Sequence, residues 1–416
     1  MRRATGPAEA LGRDADRRMI LQNPALHPAV IALIAFLTVV DLFAAQALLP
    51  SLVVLYGTTP ATMGIAVNAC TLGMAIGGLI VALYGQSFDR RISVAGCLAL
   101  LTLPTLGLAF APNLIVFSTL RILQGLLMSA AFGLTLAHIG ESTSREKLAT
   151  AFAAYITGNV ASNLGGRLLA AAVVDHASVA ASFATFSVLN FCGAILAFTV
   201  IRGTATTSEQ SRLNISSRLA PLFRSRPLRN AFGIGFVILF VFIGVFTYIN
   251  FVLVRAPLKL GMMQLGIVYF VFLPAIVTTP LAGVLAQRVG TRAAIWAGLG
   301  TAFIGLPLLS FGQIGAVVSG MVLVGVGTFF AQAVVTGYVS RVTGNERAAA
   351  TGTYLAAYFT GGIVGAAVIG KIFDEFGWNW CLGALGLAIC IAVRLAAELY
   401  EQPLTGKPPR GLPVRQ

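Results

Sequence analysis

The chain has 416 residues, 57% of them apolar and only 10% charged, with a mean hydropathy of +0.87. A soluble domain carries about 25% charged residues, so this chain could not cover a water-exposed surface, and a disordered chain is excluded on the same grounds. The 28 Lys and Arg outnumber the 14 Asp and Glu, but they lie in short stretches between apolar runs, which points to membrane topology rather than nucleic-acid binding.

In chain order, residues 1–27 are Arg-rich and have no apolar stretch leading to a small-residue cleavage site. They are expected to form a retained cytoplasmic tail. A bilayer crossing needs about 20 apolar residues. Such runs occur twelve times, at about 29–50, 60–83, 92–111, 114–138, 148–174, 179–201, 230–254, 262–285, 292–311, 313–339, 348–373 and 379–400. The polar stretch 202–229 divides them six and six. The expected organisation is therefore an all-α membrane protein with an N-tail (1–27), a six-helix bundle (28–201), a cytoplasmic linker (202–229), a second bundle (230–400) and a C-tail (401–416).

The basic residues fix the expected orientation. Arg255, Lys259 and Lys371 fall on one side and Arg121, Arg167 and Arg394 within spans; every other Lys and Arg falls on the side of the tails and linker. By the positive-inside rule that side is cytoplasmic. The five cysteines, Cys70, Cys97, Cys192, Cys381 and Cys390, all lie in apolar segments without a CxxC pair. With three histidines in the chain, neither a disulfide framework nor a metal site is expected, and no cofactor is implied.

The two halves repeat. Ala154-Tyr155-Ile156-Thr157-Gly158 in span 5 returns as Ala357-Tyr358-Phe359-Thr360-Gly361 in span 11, a shift of 203 residues. After span 2, Gly85 and Asp89-Arg90 correspond to Gly283 and Gln287-Arg288 after span 8, followed by Gly290 and Arg292, a shift of 198 residues. Parallel six-helix repeats are a transporter architecture, with the solute held between the halves near the bilayer midplane.

Three motifs carry a family resemblance over about residues 28–400. The loop Gly85-Gln86-Ser87-Phe88-Asp89-Arg90-Arg91 resembles the G-x-x-x-D-R-x-G-R-R loop of the major facilitator superfamily, without its second glycine. Arg121-Ile122-Leu123-Gln124-Gly125 matches the R-x-x-Q-G of span 4 in its proton antiporters. The run from Gly158-Asn159 to Gly165-Gly166-Arg167 is similar to an altered form of their glycine-rich span-5 motif, and the chain most resembles the YnfM-type branch of bacterial inner-membrane exporters. Asp41, Gln46 and Leu49-Pro50 are similar to a span-1 pattern of some drug exporters. The resemblance implies two pseudo-symmetric bundles, spans 1 and 4 lining a central cavity, span 5 bordering it, and alternating access driven by protons.

Charges inside a membrane are costly unless they face water or a partner. Counted at 1.5 Å per residue from Pro50, Pro112 and Asp175, Asp41, Arg121 and Arg167 each lie about 12–14 Å from the outer boundary, so the three are expected to converge in the cavity. Asp41 is expected to be the protonatable group and Arg121 the fixed cation that holds it ionised, because a nearby guanidinium favours the charged carboxylate and burial disfavours it. The alternative is a permanent structural pair.

Arg167 continues a polar stripe with Asn159 and Asn163, either contacting substrate or bonding neighbouring helices. Gln46, Asn68, Gln124, Asn250 and Gln332 are further cavity candidates. If both arginines face the cavity, an anionic or zwitterionic solute fits. For the gate, Asp89 is suited to a helix N-terminus, and the resemblance suggests span 11. Arg90 or Arg91 could pair with Glu141; Gly85, Gly283, Arg288, Gly290 and Arg292 complete the gating candidates.

No phosphate loop is present, and no clustered His, Ser/Lys or paired Asp suggests an intramembrane enzyme. The expected function is secondary transport of a small organic solute, as proton-coupled efflux. The alternative is proton-coupled import of an organic anion. The expected partners are the solute, protons and the bilayer, with no nucleic acid, and the chain is expected to act as a monomer.

Overall fold

The computed structural model describes residues 28–143, 145–201, 215–343 and 347–399. The tails and residues 202–214 of the linker lie outside the described residues. Within them twelve long helical rods follow one another, α1 to α12, in the order of the expected spans. α1 runs in two pieces, Pro28–Ala47 and Leu49–Tyr56. Then come α2 (Pro60–Tyr84), α3 (Arg90–Leu108), α4 (Leu114–Ser142), α5 (Arg145–His176) and α6 (Val179–Val200). A short helix, Ile215–Arg224, precedes α7 (Arg226–Val254). α8 is Met262–Val268 and Leu273–Val289 joined by one 3-10 turn, followed by α9 (Thr291–Leu308), α10 (Ile314–Val342), α11 (Arg347–Phe376) and α12 (Trp378–Ala397).

Ten of these rods are long and apolar enough to cross a bilayer. α5 and α9 fall short for local reasons: α5 carries Asn159, Asn163 and Arg167, and α9 has 18 residues opening on Thr291-Arg292. Both still pack as members of the bundle.

Side chains mark the rod ends. Thr59, Asp89, Asn113 and Ser178 each cap the helix that follows by accepting a bond from the backbone N–H three residues on, at 2.9–3.3 Å. Gly290 turns the chain between α8 and α9 at φ +88°, a conformation that side chains with a Cβ resist.

Two boundaries differ from expectation. α7 begins at Arg226, with Pro227 in its first turn, four residues before the expected start. Pro50 does not end α1, because it sits in the first turn of Leu49–Tyr56, where its missing N–H costs nothing. Asp41 therefore lies 15 residues, about 22 Å, from the end of its rod, deeper than expected.

The repeat is visible in the packing. A Cβ on Gly158 of α5 would stand 2.0 Å from Ala32 O of α1, and one on Gly361 of α11 would stand 2.0 Å from Phe236 O of α7. The missing side chains let each pair of rods cross backbone to backbone.

The halves meet along α2 and α11, from Gly352 against Ala82 at the end nearest the linker to Ala61 N, which donates to Asp374 Oδ2 at 3.3 Å at the far end. α5 and α8 also meet towards the far end, where Gly266 abuts Ala171 and Leu168.

Candidate functional site

Two buried polar clusters occupy the interior, and the three expected charges are divided between them. The expected convergence of Asp41, Arg121 and Arg167 is thus corrected.

The first cluster lies wholly inside the first bundle. Asp41 Oδ2 accepts from Asn190 Nδ2 of α6 at 2.7 Å, from Thr105 Oγ1 of α3 at 2.8 Å and from Gln124 Nε2 of α4 at 3.3 Å. α3 and α6 are outer rods that pack on α1, α4, α5 and each other, with no substantial packing against the second half among the described residues. The Asp41 carboxylate therefore points away from the seam between the halves.

Arg121 is not ion-paired with Asp41. Its Nε donates to Val67 O at 2.9 Å, its Nη1 to Gln124 Oε1 at 2.7 Å and to the Asp41 backbone O at 3.4 Å, and its Nη2 to Leu42 O at 3.5 Å. Gln124 is thus a bridge from guanidinium to carboxylate, not a cavity residue as expected. Gly125 completes the motif sterically, since a Cβ there would lie 1.8 Å from Cys70 O of α2.

The second cluster does span the seam. Arg167 Nη2 of α5 donates to Gln46 Oε1 of α1. Gln46 Nε2 donates to Asn68 Oδ1 of α2 at 2.9 Å, and Asn68 Nδ2 to Thr247 Oγ1 of α7 at 3.1 Å. Asn250 Nδ2 of α7 reaches Gln46 O at 3.3 Å, and Tyr269 Oη of α8 donates to Asn250 Oδ1 at 2.6 Å.

Repeat positions build this cluster from both sides. Gln46 and Asn250 are equivalent under the 204-residue shift that relates Ala32 to Phe236, and Asn68 and Tyr269 are 201 apart. The Gln46–Asn68 bond of one half is therefore matched by the Asn250–Tyr269 bond of the other. Arg167 has no such counterpart: 203 residues on stands Gly370, whose space Tyr248 Oη fills.

The Arg167 guanidinium lies 3.9 Å from the centre of the Tyr269 ring, with Phe272, Phe43 and Phe246 at 5.5–5.9 Å. Asn163, one turn earlier, is also fully buried. Asn159 and Gln332 are half-buried at other points of α5 and α10.

Of the gating candidates, Arg90 is nearly buried and grips Glu141 with two bonds, Nη2–Oε1 at 2.7 Å and Nε–Oε2 at 3.2 Å, while its Nη1 donates to Gly85 O. Arg91 instead stacks on Phe198 and donates to its carbonyl at 2.7 Å. Asp89 caps α3 itself; the expected contact at the start of α11 involves residues 344–348, whose side chains lie outside the described residues.

The second-half loop is paired differently from the expected 198-residue register. Arg292 donates to Leu399 O at 3.3 Å, matching Arg91 and Phe198 at a shift of 201. Arg288 is therefore not the copy of Arg90, and it is exposed, as is Gly283.

Sequence reasoning missed Thr105, Asn190, Thr247 and Tyr269. Asn190 is the single amide in the apolar run of α6, and Tyr269 stands one repeat beyond Asn68; both were available signals. An apolar cavity between Tyr56, Phe110 and Phe183 at the far end has no charged lining residue and lies away from the seam.

Comparison with known proteins agrees with this architecture. The family described as Major Facilitator Superfamily matches residues 31–273 and 258–413. The chain is 23% identical over 365 residues to the inner membrane transport protein YnfM of Escherichia coli K12, covering 87% of each. It is 22% identical to the uncharacterized MFS-type transporter YybF of Bacillus subtilis 168, covering 88% of this chain and 91% of that one. Among solved structures it superposes on the nucleoside transporter NupG with a TM-score of 0.71 at 12% identity, covering 91% of this chain and 99% of that one. A bacterial homolog of the human lysosomal transporter Spinster, inward-facing and unoccupied, gives 0.68 at 12% identity over 90% and 95%. With duplicated six-rod halves, a polar seam between them and a family match running across both, the chain is an integral multi-pass transporter, not an enzyme, and belongs to the Major Facilitator Superfamily.

Proposed function

We propose that this transporter exports a small organic solute across a bacterial inner membrane in exchange for protons, acting as a monomer with both termini cytoplasmic. The observation that carries the reading is the polar cluster Gln46–Asn68–Thr247–Asn250–Tyr269, in which Gln46 and Asn250, and Asn68 and Tyr269, are equivalent positions of the two halves. Hydrogen bonds across a seam can be exchanged for bonds to a solute when the halves rock apart, which is how alternating access holds its cargo near the midplane. The basic side of the rods supports the orientation, and the names of the relatives support the membrane.

Asp41 is the group assigned to carry the proton. Its neutral donors can hold either charge state, and Arg121 touches it only through Gln124 and the α1 backbone. Sliding α1 against α4 would alter that contact and with it the cost of ionising the carboxyl. The Arg90–Glu141 pair and the Asp89 cap brace the ends of α2, α3 and α4 that must move together as a gate.

Purified protein in vesicles under an imposed pH gradient tests this, with internal pH followed as a panel of solutes is added. Protons leaving in exchange for solute entry, in wild type but not in a folded Asp41→Asn variant, is the expected result; undiminished flux in that variant rejects the assignment. Proton movement in the same direction as solute would favour the alternative, import of an organic anion, for which the uncompensated charge of Arg167 speaks.

A further inference from the structure

We infer that the solute is an organic anion whose oxyanion seats on Arg167 and Asn163 and whose apolar body lies against the rings of Phe43, Phe246, Tyr269 and Phe272. This rests on the seam being the solute site.

The two deep arginines are treated differently by the fold. Arg121 is saturated, its guanidinium spending donors on four oxygens. Arg167, equally buried, donates to Gln46 and has the Tyr269 side chain as its other polar neighbour, while its Nε and Nη1 meet no acceptor in hydrogen-bonding geometry. Asn163 faces the same way one turn back, and neither atom of its amide is bonded.

Among the described residues no carboxylate lies within ion-pair distance of Arg167, and the one acid deep in the rods, Asp41, is engaged inside the first bundle. A buried guanidinium without a counter-charge is costly. Four ring faces lessen that cost through cation–π attraction. A ring face does not, however, give the in-plane N–H groups an acceptor.

What the site lacks is an anion with two oxygens in a plane. Nε and Nη1 each share an edge of the guanidinium with Nη2, so the Nη2 hydrogen not given to Gln46 and the free donor beside it can close a two-bond fork on a carboxylate, leaving one further N–H for a second oxygen. The Asn163 amide supplies a further donor one turn away. The surrounding rings then receive the apolar or aromatic remainder of the molecule. A neutral solute would leave the charge uncompensated, and a cation would add to it. Arg167 has Gly370 as its repeat copy, so the anion seat is one-sided, on the α5 face of the seam.

The test uses three probes of one shape: benzoate, benzamide and benzylamine, titrated onto the full-length protein in phosphatidylcholine nanodiscs by calorimetry. Benzoate is expected to bind at least tenfold more tightly than benzamide, with benzylamine weakest. In Arg167→Gln the benzoate-to-benzamide ratio should fall close to one, and Arg167→Lys should keep part of it. The wild-type ratio needs no variant, so a misfolded Arg167→Gln does not spoil the test. Equal affinity for benzoate and benzamide, a preference for benzylamine, or an unchanged ratio in folded Arg167→Gln overturns the proposal.

Asn250→Ala and Tyr269→Phe separate the two readings. If they alter probe binding while the charge preference is absent, the seam is the site and the anion is wrong. If they leave binding of every probe unchanged, the seam itself is wrong and the anion proposal falls with it.

Discussion

The same six-rod plan is filled with charge and amides in the first half and with aliphatic and aromatic side chains in the second. Asp41 of α1 becomes Val245 of α7 at the 204-residue shift. At the 201-residue shift its partners Thr105, Gln124 and Asn190 become Leu306, Gly325 and Ile391, and Arg121 becomes Val322. On the neighbouring face of α7 the second bundle packs Phe242 against Phe246, Phe272 and Phe329 with ring centres 4.7–5.8 Å apart. The fold therefore does not need the acid in order to pack. A buried carboxylate that its own repeat dispenses with is better explained by what it does than by what it holds together.

The contrast can be broken most severely at Val245. Val245→Asp puts a charge where the copy of Asp41 would be, but among apolar neighbours. A loss of several kcal/mol is expected, enough to remove the monodisperse peak in size-exclusion chromatography. A folded variant with wild-type melting would mean that the second bundle offers hidden donors, and the two interiors would not differ as described.

Asn190→Ala attacks the first bundle by removing the shortest bond to Asp41. It should lower stability by about 1–3 kcal/mol in chemical unfolding, because a buried carboxylate loses a donor that water cannot replace. Ile391→Ala at the copy position, half-exposed in the second half, should cost clearly less. Equal losses would erase the distinction.

At the linker end, Glu141 has Val342 as its copy, so the two-bond Arg90–Glu141 pair belongs to the first half alone. A double-mutant cycle of Arg90→Ala and Glu141→Ala should return a coupling of about 1 kcal/mol that shrinks with added salt, since Glu141 is half-exposed. Zero coupling at low salt would make the pair incidental.

The smallest effect is expected at Glu398, an acid that only the second half has. Asn230 donates to it at 3.1 Å, and Arg226 and Arg394 pair with it, which holds its carboxyl below the ordinary glutamate value of 4.5. A depressed carboxyl contributes stability that is present above its unfolded value and lost as pH falls through the lower folded one. Melting of Glu398→Gln should therefore lie slightly below wild type at neutral pH, and the two should converge on acidification below about 4. A gap that widens in acid would reverse the assigned sign.

The rods themselves were plain in the amino-acid order, and so was a pair between Glu141 and one of Arg90 and Arg91, because short connections leave a loop arginine few acids to meet; the fold decided for Arg90. Gly158 and Gly361 marked the repeat through a run of five residues that recurs. The bearing of Asp41 was not legible. On a soluble helix the polar stripe reveals which face looks outward, but here lipid and protein interior are both apolar, so α1 is greasy all round and carries no such mark. Pro50 misled for a related reason: at the first turn of a helical piece a proline continues the rod instead of ending it, and the depth of Asp41 changed with it.

By itself the amino-acid order determined that the molecule lives in lipid, that it is two copies of one six-rod unit, and which few ionisable groups are sunk in it, since each follows from hydropathy and period alone. Tertiary structure decided how those groups divide: Asp41 and Arg121 within one bundle, Arg167 in the seam beneath Tyr269. Which neighbour a side chain meets depends on the rotation of each rod about its axis, and that is set by glycine crossings such as Gly158 on Ala32 and Gly361 on Phe236, contacts between residues more than a hundred positions apart.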